Sequence, residues 1–129
     1  MLNDLKVFKT AYAMATHAGK RQAVISQNIA NADTPGYRAR DIAAFSSVVS
    51  YDDVRTDMRA SRPGHVSGFR SDRSAWREFV TGDQINPNNN SVSVENEMLK
   101  AVETRRQHDR ALAIYKSSLN ILRTSLGRF

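Results

Sequence analysis

The chain has no cysteine, which excludes disulfides and thiolate metal sites and leaves the redox compartment unreadable from cysteine usage. It has no run of eighteen consecutive apolar residues, so no membrane-spanning helix is expected. The start, Met1-Leu2-Asn3-Asp4-Leu5-Lys6, lacks the charged, then apolar, then small-residue order of a secretory leader. That absence leaves open a dedicated export machine that reads another address. His17, His65 and His108 are scattered without ligand spacing, and there is no glycine-rich phosphate loop, no G-x-S-x-G elbow and no carboxylate pair in an apolar setting. No catalytic, cofactor-binding or metal-binding residue is assigned, no cofactor is expected, and the chain does not read as an enzyme.

What is there fits one domain of ordinary size at most: 129 residues, 40% hydrophobic, with the apolar residues concentrated toward the two ends. The net charge of +6 comes from fourteen arginines against five lysines. Six of those arginines lie between Arg55 and Arg77, against Asp57 and Asp72. Such a segment either meets phosphates, anionic lipid or an acidic protein surface, or is a solvated positive loop. A nucleic-acid-binding protein is the competing class, but these arginines follow no helical face and lack interleaved stacking aromatics, so no nucleic-acid partner is expected.

Two segments carry helical periodicity. From Leu5 onward one stripe runs Leu5, Phe8, Tyr12, Ala15, Gly19, Gln22, and its neighbour runs Val7, Ala11, Met14, Ala18, Arg21, Ile25, Asn28, Ala32, in steps of three and four. Alanine and glycine dominate the middle of both, which lets another helix come close. The C-terminal stripe is longer: Val94, Met98, Ala101, Arg105, His108, Leu112, Tyr115, Leu119, Leu122, Leu126. A 3.5-residue repeat sustained this far predicts a helix that supercoils with a partner. Ser93 is the expected N-cap, Glu95 and Glu97 suit the first turn, and Gly127 is the stop. Arg105 and His108 interrupt the stripe, either as a polar layer that sets register or where the helix leaves the core. The expected fold is mainly α. Long N-terminal and C-terminal helices pair as a coiled coil or helical hairpin, apolar stripes are left over for assembly, and the middle is irregular, either partly disordered alone or ordered by a partner. The segments are 1–45, 46–92 and 93–129, with both ends forming one domain. Within the middle, Ser47–Tyr51 and Trp76–Val80 are apolar islands suited to brief strands.

Residues 26 to 41, Ser-Gln-Asn-Ile-Ala-Asn-Ala-Asp-Thr-Pro-Gly-Tyr-Arg-Ala-Arg-Asp, end the first helix with defined turn chemistry. Pro35 has no N–H and pushes Thr34 out of the helical region, so the helix stops by about Ala32 or Asp33. Thr34-Pro35-Gly36-Tyr37 predicts a type II turn with Gly36 at positive φ. Asn28 and Asn31 are placed either to cap the last helical carbonyls or to bond a neighbouring chain.

The segment Asn28-Ile29-Ala30-Asn31-Ala32-Asp33-Thr34-Pro35-Gly36-Tyr37, after an N-terminal helix, resembles the signature of bacterial flagellar rod, hook and hook-associated axial proteins. Its continuation through Arg38-Ala39-Arg40-Asp41 to Phe45, with Asn90-Ser91-Val92 and Glu97-Met98, is similar to the short proximal rod members of that family. Where those proteins usually carry a glycine before the last helix, this chain has Asn88-Asn89-Asn90. The resemblance implies a structural subunit that assembles with itself and other rod proteins, joining the inner-membrane ring and its rod adaptor to the distal rod and hook. It implies export through the flagellar type III apparatus, a periplasmic final location, and termini that order on assembly. Asn28, Asn31, Thr34, Pro35, Gly36 and Tyr37 are the expected assembly and turn motif. Leu5, Phe8, Tyr12, Met98, Leu112, Tyr115, Leu119, Leu122 and Leu126 are the expected helix-seam interface. The other short proximal rod protein of the family is the nearest alternative.

Overall fold

The computed structural model describes residues 2–47 and 76–127, with side chains from Val7 onward. The side chain of Leu5, the Val48–Tyr51 part of the first apolar island, and the arginines from Arg55 to Arg73 lie outside the described residues. Helix α1 spans Leu2–Ala30 and helix α2 spans Val94–Ser125. Between them, strand β1 (Arg40–Ile42) pairs antiparallel with β2 (Glu78–Val80), in the register Arg40 to Val80 and Ile42 to Glu78. The second apolar island thus supplies β2. Among the described residues no helix is long and apolar enough to cross a membrane.

The helix ends follow from local chemistry. Ser93 caps α2, its Oγ accepting from the Asn96 N–H at 3.4 Å, with Glu95 and Glu97 in the first turn. At the far end Leu126 N–H donates to Leu122 O, and Gly127 takes φ 83°. Helix α1 gives way to turns after Ala30. There Tyr37 N–H donates to Thr34 O at 3.3 Å with Gly36 at φ 77°, the turn expected from Pro35-Gly36.

The two helices pack as an antiparallel hairpin: Asn28 near the end of α1 meets Glu97 near the start of α2, and Phe8 meets the Tyr115 ring edge-on at 5.2 Å. On α1 the buried line is Ala11, Ala18, Ile25, which belongs to the second of the two stripes. On α2 it is Glu97, Thr104, Ala111. Both lines step by seven residues, the seam of a coiled coil. The α2 line is rotated by one residue from the stripe Met98, Arg105, Leu112. Met98 is 60% exposed, Leu126 67% and Tyr12 on α1 68%, and Leu112 and Tyr115 are exposed to a smaller degree. Phe8, Leu119 and Leu122 are half-buried. The rotation has two physical causes. Alanine and threonine let the backbones approach where Met and Leu would hold them apart, and burying Arg105 would strand a charge, whereas Glu97 finds partners in the seam. Arg105 is exposed and His108 half-buried, so neither forms a buried polar layer.

Candidate functional site: the joint of the hairpin

The functional candidate is the corner where α1 ends, β1 begins and α2 starts. Its backbone presents under-satisfied carbonyls: Asn31 O and Thr34 O each accept one turn N–H, from Thr34 at 3.0 Å and from Tyr37 at 3.3 Å. After Ala30 the carbonyls of Asn31, Ala32 and Thr34 have left the helical ladder, and buried without partners each would cost free energy. Asn90, 56 to 59 residues further on, supplies them. Its Nδ2 donates to Asn31 O at 2.9 Å, Ala32 O at 2.8 Å and Thr34 O at 2.8 Å. Two amide hydrogens are therefore shared among three acceptors. Asn90 Oδ1 accepts from the Val92 N–H at 2.7 Å, and the residue is fully buried. A side chain from the second half of the chain thus caps the first helix.

Asn28 forms the other half of the latch. Its Nδ2 donates to Arg40 O at 2.7 Å while its Oδ1 accepts from the Arg40 N–H at 3.1 Å, so the amide pairs with β1 as another strand residue would. The same Nδ2 donates to Glu97 Oε2 at 2.9 Å, and the Tyr37 hydroxyl reaches Asn28 Oδ1 at 3.4 Å. Glu97, buried, takes its remaining partner from Lys100 Nζ at 2.8 Å. Asn28 therefore ties α1, β1 and α2 together. Of the two roles open to the asparagines, Asn31 takes the capping one: its Nδ2 donates to Gln27 O at 2.8 Å, and its Oδ1 accepts from Thr34 Oγ1 at 3.2 Å.

Further bonds close the corner. Ser91 Oγ accepts from the Ala39 N–H at 2.9 Å, Ser91 N–H donates to Tyr37 O at 3.1 Å, and Gly36 N–H donates to Asn88 O at 3.1 Å. Asn89 takes φ 67°, the left-handed conformation that asparagine enters most readily after glycine. The asparagine run thus makes this turn without a glycine.

Charge fixes β1 onto α1. Arg21 grips Asp41 through two parallel bonds, Nε to Oδ1 at 2.9 Å and Nη2 to Oδ2 at 3.0 Å. Burial pushes the Asp41 carboxyl up, but the Arg21 bond and the Ile42 N–H outweigh it and hold it below the usual carboxylate range. Beside this pair His17 is fully enclosed, its Nε2 donating to Ala43 O at 2.8 Å and its ring near those of Phe45 and Trp76 at 5.6 and 5.9 Å. Burial lowers the His17 pKa, opposed by the Ala43 bond. Among the described residues no cluster of three metal-ligating side chains occurs.

The structure brings Asn28, Asn31, Thr34, Gly36 and Tyr37 into one corner, with Pro35 exposed on its outer surface. Periodicity did not single out Asn90, Ser91, Asp41 or His17 as site residues. The readable signal lay in Asn90 and Ser91 standing three and two residues before the N-cap, where a buried asparagine has an open helix end within reach.

A helical hairpin whose corner is locked by buried amides is a paired-helix structural architecture. The family described as flagella basal body rod protein matches residues 13–38, the end of α1 and its turn. The flagellar basal body rod protein FlgB of Agrobacterium fabrum is 30% identical over 119 residues, spanning 90% of this chain and 89% of that protein. FlgB of Aquifex aeolicus is 33% identical over 103 residues, 80% and 78% of the two chains, and FlgB of Bacillus subtilis 28% over 112 residues, 86% and 85%. The chain belongs to the FlgB family of flagellar basal body rod proteins.

Proposed function

We propose that this chain is a structural subunit of the proximal part of the flagellar basal-body rod, where it packs with other rod proteins to carry the connection from the inner-membrane ring to the distal rod and hook. The observation that carries the reading is likeness to a rod protein across nine-tenths of both chains, with the matched turn segment lying in the locked corner of the hairpin. Packing in a rod accounts for apolar side chains such as Met98, Leu99 and Tyr12 that the hairpin leaves uncovered. The rod adaptor at the inner-membrane ring, delivery by the flagellar type III export apparatus, and a periplasmic final site belong to the same proposal. They rest on the resemblance of the turn motif. The relatives that match are FlgB proteins, which favours this subunit over the other short proximal rod protein.

Deleting the gene tests the reading. The strain should lack filaments and swimming and retain an incomplete basal body, with both restored by the wild-type gene on a plasmid. Normal swimming in the deletion strain overturns it.

A further inference from the structure

The hairpin leaves a groove beside its seam, of about 510 Å³, bordered by Ala18, Gly19 and Gln22 on α1 and by Val102, Thr104 and Arg105 on α2. Two observations there have no explanation among the described residues. Gly19 sits within α1, where glycine weakens a helix by about 1 kcal/mol relative to alanine, yet a Cβ on it would meet nothing within 4 Å. Arg105 stands exposed at the rim without an ion pair among the described residues.

The complement to this groove lies on the same chain. At the start of α2, Leu99 is 70% exposed and Glu95, one turn earlier on the same face, is exposed, its Oε2 accepting from Ser93 Oγ at 3.1 Å. An apolar knob beside a carboxylate matches an apolar groove rimmed by an arginine. Resting on the rod-subunit reading, we infer that the groove at Gly19 receives the Glu95–Leu99 edge of α2 from a second copy of this chain, Leu99 seating over Gly19 and Glu95 facing Arg105. Groove and knob are different surfaces, so each copy keeps one of each free after pairing. The contact is head-to-tail and propagates instead of closing as a two-fold dimer.

Because the natural chain has no cysteine, introduced thiols report this geometry without background. The full-length chain carrying both Gly19→Cys and Leu99→Cys, oxidised in solution, should run as a ladder of trimers and higher species on a non-reducing gel. Arg105→Glu added to that chain should cut the ladder about tenfold or more, and Glu95→Lys in addition should restore it by reversing the pair. Dimers alone, no cross-linked species, or a ladder indifferent to Arg105→Glu each overturn the inference. Gly19→Leu in the otherwise natural chain fills the groove while improving helix propensity, so its thermal unfolding should not fall while concentration-dependent association in sedimentation is lost. In the deletion strain, normal swimming restored by Gly19→Leu sinks the groove and leaves the rod reading intact. Swimming without any copy of the gene sinks the rod reading itself.

Discussion

At the corner of the hairpin, Asn28, Asn90, Ser91 and Glu97 are buried with their hydrogen bonds made within the chain. Along the outward side of the two helices, by contrast, Tyr12, Met98 and Leu99 stand in solvent. Both surfaces use residues that look misplaced, polar groups inside and apolar groups outside. A buried amide with all partners present selects one arrangement, since every alternative strands a donor or acceptor. An exposed apolar side chain selects nothing within the monomer and stays available to a neighbour. The corner ties the two helices together, and on the rod reading proposed above the outward face is what neighbours would cover.

The largest expected effect is at Asn90. Asn90→Asp keeps the shape but sets a carboxylate against three carbonyls, and Asn90→Ala leaves Ala32 O and the Val92 N–H unpaired, while Asn31 O and Thr34 O keep only the Thr34 and Tyr37 N–H groups. At about 1–3 kcal/mol for each stranded group, urea unfolding of either variant should show a loss of about 3 kcal/mol or more, with Asp the worse. Wild-type stability in Asn90→Asp would mean that the corner is not internally locked.

Next comes the link across the corner. Asn28→Ala and Glu97→Ala should each cost about 2–3 kcal/mol, and their double-mutant cycle should show a coupling of about 1 kcal/mol or more. Additive losses would show that the 2.9 Å contact contributes nothing of its own. Gly36→Ala should cost about 1–2 kcal/mol, because the site has room for a Cβ but holds φ 77°. Circular dichroism during thermal unfolding measures it.

His17 offers a pH-dependent version of the same comparison. Its pKa in the folded chain is lowered by burial, so the unfolded chain binds the proton more readily. Stability is fully present above about pH 6.5, the ordinary histidine value, and is lost as the pH falls below it. In His17→Gln, which keeps a donor for Ala43 O and cannot charge, the melting temperature should decline less between pH 6.5 and 5. The smallest effect belongs to the outward face: Met98→Ser should change the stability of the isolated chain by less than about 0.5 kcal/mol while weakening association. A large loss of monomer stability would erase the contrast drawn between corner and face.

Much of this was legible in residue order. The end of α1, the Gly36 turn, the Ser93 cap and the Gly127 stop depend on chemistry within four residues, so local rules reach them. The pairing of two long helices followed from their repeats. Less accessible was the side of α2 that pairs: the apolar stripe pointed to Met98, Arg105 and Leu112, and the seam runs through Glu97, Thr104 and Ala111. Stripe and seam differ because periodicity counts apolar residues, whereas the seam is chosen by close backbone approach at small residues and by keeping Arg105 out of the interior.

Residue order therefore determined the elements and their ends, since propensity, capping and turn geometry act over a few residues. Contact through space alone determined that Asn90 caps a helix more than fifty residues away, that Asn28 stands in for a strand partner of Arg40, and that Glu97 lies inside the seam. A buried polar group is settled by the partner that satisfies it, and that partner is chosen by the fold.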